Sequence, residues 1–253
     1  MPDPYNPMRA AQANMRQPEM RRFYREVAVL KTEDGRHALM LDGRAARTPG
    51  KNRLAASSPA VMELVAEEWA RQAERLDPAD MPVTRLVNSA VDGVARAFEE
   101  TRVEIARYAS SDLSCYRAEA PEALAERQAR AFDPVLAWAG ETLGARFRLA
   151  AGVVHVGQPE EAVSAVRSAL AAYDDPVALA ALSALTTLTG SALLALAVAR
   201  GFLSAAEAWR AALVDEDFQE ERWGIDPEAA ARREARWREF EAAAVVVALT
   251  RAG

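Results

Sequence analysis

One cysteine, Cys115, and two histidines, His37 and His155, supply the only thiol and the only imidazoles in 253 residues. A lone cysteine forms no disulfide within the chain, so a reducing compartment is expected. Two His and one Cys are too few for an ordinary zinc site. The Gly-rich phosphate loop, the dinucleotide fingerprint and the Gly-x-Ser-x-Gly elbow are also missing. These absences leave no support for a cofactor or metal, and none is expected. A basic surplus is lacking as well: the net charge is −6, which argues against a nucleic-acid partner. Aromatics make up only 7% of the chain, so each buried Trp, Tyr or Phe carries a large share of the apolar area.

Residues 1–20 hold Arg9 and Arg16 but also Asp3 and Glu19, and no long apolar run. They read as a disordered tail and not as a secretory or transit peptide. The longest uncharged run, 177–199, is long enough to span a bilayer. It is Ala-rich, however, and broken by Ser183, Thr186, Thr187, Thr189, Gly190 and Ser191. We read it as two short buried helices, or one kinked helix, at the centre of a helical core, with no stable membrane insertion.

What is present divides into two parts, an α+β arrangement. Val27, Val29 and Leu30 precede an Asp34-Gly35 turn, His37 to Leu41 follow, then Asp42-Gly43, then Arg44 to Thr48. Two Asp-Gly turns predict a small meander of three antiparallel strands. Ser58 and Pro59 form a cap and first residue for a covering helix with Val61, Leu64, Val65 and Trp69 at helical spacing. Asp77-Pro78 and Met81-Pro82 predict an extended link, placing the end of this N-terminal α+β part (21–86) near Leu86. The rest (87–253) reads as all helix. One helix carries Val87, Val91, Val94 and Phe98 towards Tyr108. Pro121 opens another, Asp133-Pro134 start a third, and residues 147–156 form a short strand or extended link. Pro159 precedes a helix with Val163, Val166 and Leu170 inward. Ser204 and Glu207 form a capping box, and Asp226-Pro227 open the last helix.

Chemistry-bearing clusters are few. Cys115 reads as a buried, inert thiol, and both histidines, each in a predicted strand, as structural or surface residues. The carboxylate pairs Glu67-Glu68, Glu99-Glu100 and Asp174-Asp175 read as solvated faces or helix ends. Residues 209–223, projected on one helix, are the exception. Trp209, Ala212, Leu213 and Trp223 fall on one side, with Glu216 in the middle of the stripe and Glu220 beside it, while Ala211, Val214 and Phe218 point away. An unpaired buried carboxylate is costly. Two readings stay open: an ion pair between Glu216 and an arginine of the same fold, or an exposed aromatic and acidic surface for a basic partner patch.

Several short pieces stand out by their order and spacing. They are Arg22-Phe-Tyr24, Leu41-Asp-Gly-Arg44 with Thr48-Pro49, Glu68-Trp69 with Gln72, and Met81-Pro82 with Thr84, Leu86 and Asn88. Tyr108, Asp112, Cys115-Tyr-Arg-Ala118, Gln128, Asp133-Pro134 and Trp138 continue the series, followed by Asp215-Glu216, Gln219 and Trp223-Gly224. Together, in this order and spacing, they resemble the Atp12 family, from whose pattern Ser114 and Phe132 depart, where Leu and Trp are expected. The resemblance implies an N-terminal α+β part and a C-terminal helical part. It also implies a non-catalytic assembly chaperone that binds the α subunit of the F1 part of ATP synthase and covers its β-subunit interface. Carried over by position, the partner-binding residues are Glu216, Asp215, Gln219, Trp223 and Asp217. The expected setting is a bacterial cytoplasm (the mitochondrial matrix for eukaryotic relatives), and the expected state a monomer. The alternative is a carboxylate-based hydrolase, which a deep closed pocket with convergent acids would favour. A membrane-associated scaffold would rest on 177–199 alone.

Overall fold

Asp42 and Gly43 both take positive φ, 47° and 74°, the geometry that lets a two-residue turn follow the right-handed twist of paired strands. In the computed structural model, which describes residues 20–152 and 156–251, this turn joins β2 (His37–Leu41) to β3 (Arg44–Ala45). A longer turn through Gly35 joins β1 (Val27–Lys31) to β2. All three strands are antiparallel, as the two Asp-Gly turns predict, with Val27 opposite Leu41 and Met40 opposite Ala45. The third strand stops at Ala45 and not at Thr48. Its edge of β2 is completed by a short strand absent from the sequence reading, β4 (Ala55–Ala56), paired at His37 and Ala38.

Helix α1 (Pro59–Arg71) covers the sheet. Ser58 accepts a hydrogen bond from Val61 N and Pro59 occupies the first turn, as expected. Val61, Met62 and Val65 are buried beneath it. The Tyr24 hydroxyl donates to Trp69 O at 2.7 Å, tying the chain before β1 to the end of α1. Met81-Pro82 does not form an extended link. Pro78–Asp80 make a 3-10 turn capped by Asp77, and Pro82 starts α2 (Pro82–Ser89), within which Leu86 lies. Glu68 is not solvated. It is 3% exposed, and its carboxylate accepts from Val83 N at 2.8 Å and Thr84 N at 2.7 Å, filling the orphan donors at the start of α2. Burial pushes the Glu68 carboxyl up, partly offset by these backbone bonds.

The predicted helix from Val87 to Tyr108 is broken. A π-helical turn over Ala90–Val94 extends α2, Ala97 leaves helical geometry, and α3 (Phe98–Tyr108) begins afresh. The break predicted at Asp133-Pro134 does not occur. Both lie inside α4 (Glu122–Trp138). Asp133 pairs with Arg117 at 2.5 Å instead of capping. Pro134 sits on the solvent face while Phe132, Val135 and Trp138 pack inward, and that packing outweighs the missing backbone bond. Among the described residues of 147–156, Ala150–Ala151 form a strand, β6, running parallel to β5 (Tyr116–Arg117). His155 and residues 1–19 lie outside the described residues.

The core sits in the uncharged run. After α5 (Glu160–Leu170), with Val163, Val166 and Leu170 inward as predicted, come α6 (Pro176–Thr189) and α7 (Ala192–Ala199), separated by Gly190 at φ 69°. Asp175 caps α6 and Ser191 caps α7. Both helices are apolar around most of their circumference and are enclosed by others, chiefly α10 (Pro227–Arg251) along α6. Among the described residues no helix is long and apolar enough to cross a membrane. Asp112, fully buried, fastens this centre. It accepts from Ser191 Oγ (2.6 Å), Ser114 Oγ (2.7 Å), Ser114 N and Leu193 N (both 3.1 Å). Ser114 thus has a polar role that the Leu of the family pattern would not fill. One hydrophobic cluster runs from Tyr24 and Leu39 through α6 and α7 to Phe240 and Val247.

Candidate partner-binding surface

Residues 209–223 are two helices. The Ser204–Glu207 capping box starts α8 (Ala205–Ala212). The backbone turns at Leu213 (φ −102°, ψ 12°), and α9 (Val214–Trp223) continues to Gly224. A projection at one constant angle fails past such a break, because the phase resets. Trp209 and Leu213 are buried as projected, with Trp209 packed 5.2 Å from Phe240 and 5.8 Å from Trp237. Trp223 does not join them and is 86% exposed. Phe218 faces inward, with the guanidinium of Arg222 4.0 Å and that of Arg127 5.2 Å from its ring centre.

The acids of α9 meet bases of neighbouring helices. Glu221 binds Arg127 of α4 through two contacts of 2.8 and 2.7 Å, and that guanidinium holds its carboxyl below the usual range. Asp217 and Glu220 share Arg233 of α10 at 2.5 and 3.2 Å. Asp215 accepts from Gln128 Nε2 at 2.7 Å, and the same Gln128 accepts from Ala118 N. These three contacts tie α9 into the fold. Glu216 differs. Its side chain is 51% exposed and lies 3.7 Å from Arg236, whose other nitrogen donates to Leu188 O at 2.9 Å. It is therefore neither buried nor unpaired, but a loosely paired acid at the surface.

The five predicted residues are only partly brought together. Glu216, Gln219 and Trp223 line one open groove of about 430 Å³ between α9 and α10, with Arg232, Arg233 and Arg236 on its far wall. Asp215 and Asp217 do not line it. Sequence reading missed the arginine wall and Ile225, 69% exposed at the turn between the helices. Arg232, Arg233 and Arg236 recur at helical spacing opposite an acid-rich helix, a signal that pairing the two segments would have exposed. Among the described residues no three His, Cys, Asp or Glu side chains are placed to hold a metal ion.

The family model of the ATP12 chaperone protein matches residues 21–140. The crystal structure of the Atu1473 protein of Agrobacterium tumefaciens shares 48% identity, spans 98% of this chain and 91% of its own, and superposes with a TM-score of 0.88. Atp12 from Paracoccus denitrificans shares 41% identity over 91% of this chain and 98% of its own, with a TM-score of 0.85. This chain belongs to the ATP12 chaperone family. The small antiparallel sheet followed by a mostly helical part is the Atp12 fold, and the resemblance carried by the motifs from Arg22 to Gly224 is borne out. A chaperone role in ATP synthase assembly fits this member of the family.

Proposed function

We propose that this ATP12 chaperone binds the free α subunit of the F1 part of ATP synthase, covers its β-subunit interface and releases it into assembly without catalysis. An unassembled subunit interface is a large apolar patch that self-associates. A shield that must come away calls for moderate affinity with polar selectivity. The observation that carries the reading is Trp223, a large indole left 86% exposed beside Glu216 and Gln219 in an open groove. Such an aromatic suits the centre of a docking surface, with charges around it choosing the partner. We assign Glu216, Gln219 and Trp223 to direct contact with the client. Asp215 and Asp217 complete the surface by fixing α9 to α4 and α10. A bacterial cytoplasm and a monomeric chaperone fit this role.

Co-expression with the F1 α subunit tests it. The chain should keep the α subunit soluble, and Glu216→Lys should abolish that effect while the far-ultraviolet circular dichroism stays unchanged. An α subunit that stays insoluble beside the unaltered chaperone would refute the proposal.

A further inference from the structure

The loop from Gly43 to Arg53 breaks three local rules at once. First, Arg44, Arg47, Lys51 and Arg53 are all exposed, and no ion pair is formed by any of them among the described residues. The carboxylates beside the loop are engaged otherwise: Asp92 accepts from Thr48, Gly50 and Asn52, Asp42 accepts from Arg25 N and Glu26 N, and Asp175 caps α6. Second, Arg47 and Arg53 stand directly opposite each other in an antiparallel bridge, where like charges are unfavourable. Third, Lys51 holds φ at 64°, a left-handed conformation that glycine takes more readily.

The loop is nevertheless fixed. Asp92, from the π-helical turn after α2, accepts from Thr48 Oγ1 (2.6 Å), Gly50 N (2.7 Å) and Asn52 Nδ2 (2.7 Å). A Cβ at Gly50 would stand 2.6 Å from that carboxyl, so the approach requires glycine. Arg47 Nη1 closes the tip by donating to Lys51 O at 2.8 Å. A chain with a net charge of −6 thus presents, on a braced loop, four cations that form no ion pair among the described residues. Uncompensated charge and backbone strain held in place by surrounding structure are marks of a binding site.

We propose that the 43–53 loop is a second recognition surface, distinct from the α9–α10 groove, that takes a carboxylate-rich segment of a partner protein. Guanidinium forks match carboxylates in two-point contacts. The loop has no aromatic side chain on which bases would stack. It has no large apolar side chain, and Leu54, the residue that follows it, is fully buried, so nothing is offered for insertion into lipid. A long polyanion would also run from this patch onto the acidic remainder of the chain, whereas a short acidic segment would not.

Fluorescence anisotropy with a labelled oligoglutamate peptide and the full chain tests the assignment. Binding that weakens with added salt is expected, and Arg44→Glu with Arg53→Glu should weaken it by about tenfold or more. Neither of those side chains holds the loop together, so the melting temperature should not fall. The neutral pair Arg44→Gln with Arg53→Gln should give an intermediate affinity. Arg130→Glu with Arg167→Glu, an equal change of net charge placed on α4 and α5, should leave binding as it was. The proposal is overturned if the peptide does not bind, if both charge-reversed pairs weaken it alike, or if single-stranded RNA or phosphatidylglycerol vesicles bind the same loop more tightly than the peptide.

Discussion

Replacing Asp112 by alanine removes the acceptor for two backbone N–H groups, Ser114 and Leu193, and two hydroxyls, Ser114 and Ser191. The hydroxyls can rotate to other acceptors, but the backbone donors cannot. Each buried donor left without a partner costs about 1–3 kcal/mol, so two of them set the loss at roughly 4 kcal/mol, reduced somewhat by the relief of desolvating a carboxylate. In a chain of this size that corresponds to a fall in melting temperature of roughly 8–16 °C. Thermal unfolding followed by circular dichroism measures it. Asp112→Asn keeps one carbonyl oxygen and should lose about a third as much. The pH dependence has a fixed sign. Burial holds the Asp112 carboxyl above its ordinary value despite the four bonds. The folded state therefore keeps this proton to higher pH than the unfolded chain does. The resulting stabilisation is complete below the unfolded value and is lost as pH rises through the folded one, so the gap between wild type and Asp112→Asn should narrow from acid towards neutral pH. An Asp112→Ala protein melting within about 3 °C of wild type would refute the view that this carboxyl fastens α7 to the turns before β5.

Pro134→Ala should raise stability by about 1–3 kcal/mol, because the ring is exposed while the restored N–H can complete the interior of α4; a lower melting temperature would contradict this. Cys115, whose thiol burial and the nearby Asp112 push up to about 12, should resist a thiol reagent in the native state and react fully once unfolded; fast native labelling would count against it. Trp223→Ala should change stability by less than about 0.5 kcal/mol while weakening client capture, and a large loss of stability would place the indole in the fold instead.

The parts of the fold that read plainly were those with local physical causes. Asp42-Gly43 specifies its turn by the φ values it tolerates, Ser58-Pro59 and Ser204–Glu207 specify helix starts, and Gly190 between two apolar runs specifies a break. The errors came where packing overrode local preference. Pro134 is a helix breaker until Phe132 and Trp138 hold the helix on both sides of it. Glu68 looks solvated until the start of α2 is placed against it. No residue type announces the turn at Leu213, so a single projection gives α9 the wrong phase and puts Trp223 on one stripe with Trp209 and Leu213, which it does not share. At the candidate site, Glu216 was legible as an anomaly, but its neighbour Arg236 lies on another helix and was invisible to any single-segment reading.

Capture of the client tests the central claim most directly. With the purified chain as bait for a lysate containing both free F1 α subunit and intact F1, the account predicts recovery of free α subunit and not of intact F1, and loss of that recovery with Glu216→Lys although the variant melts within about 4 °C of wild type, as removal of a loose surface pair allows. Recovery of intact F1, or undiminished capture by Glu216→Lys, would contradict it.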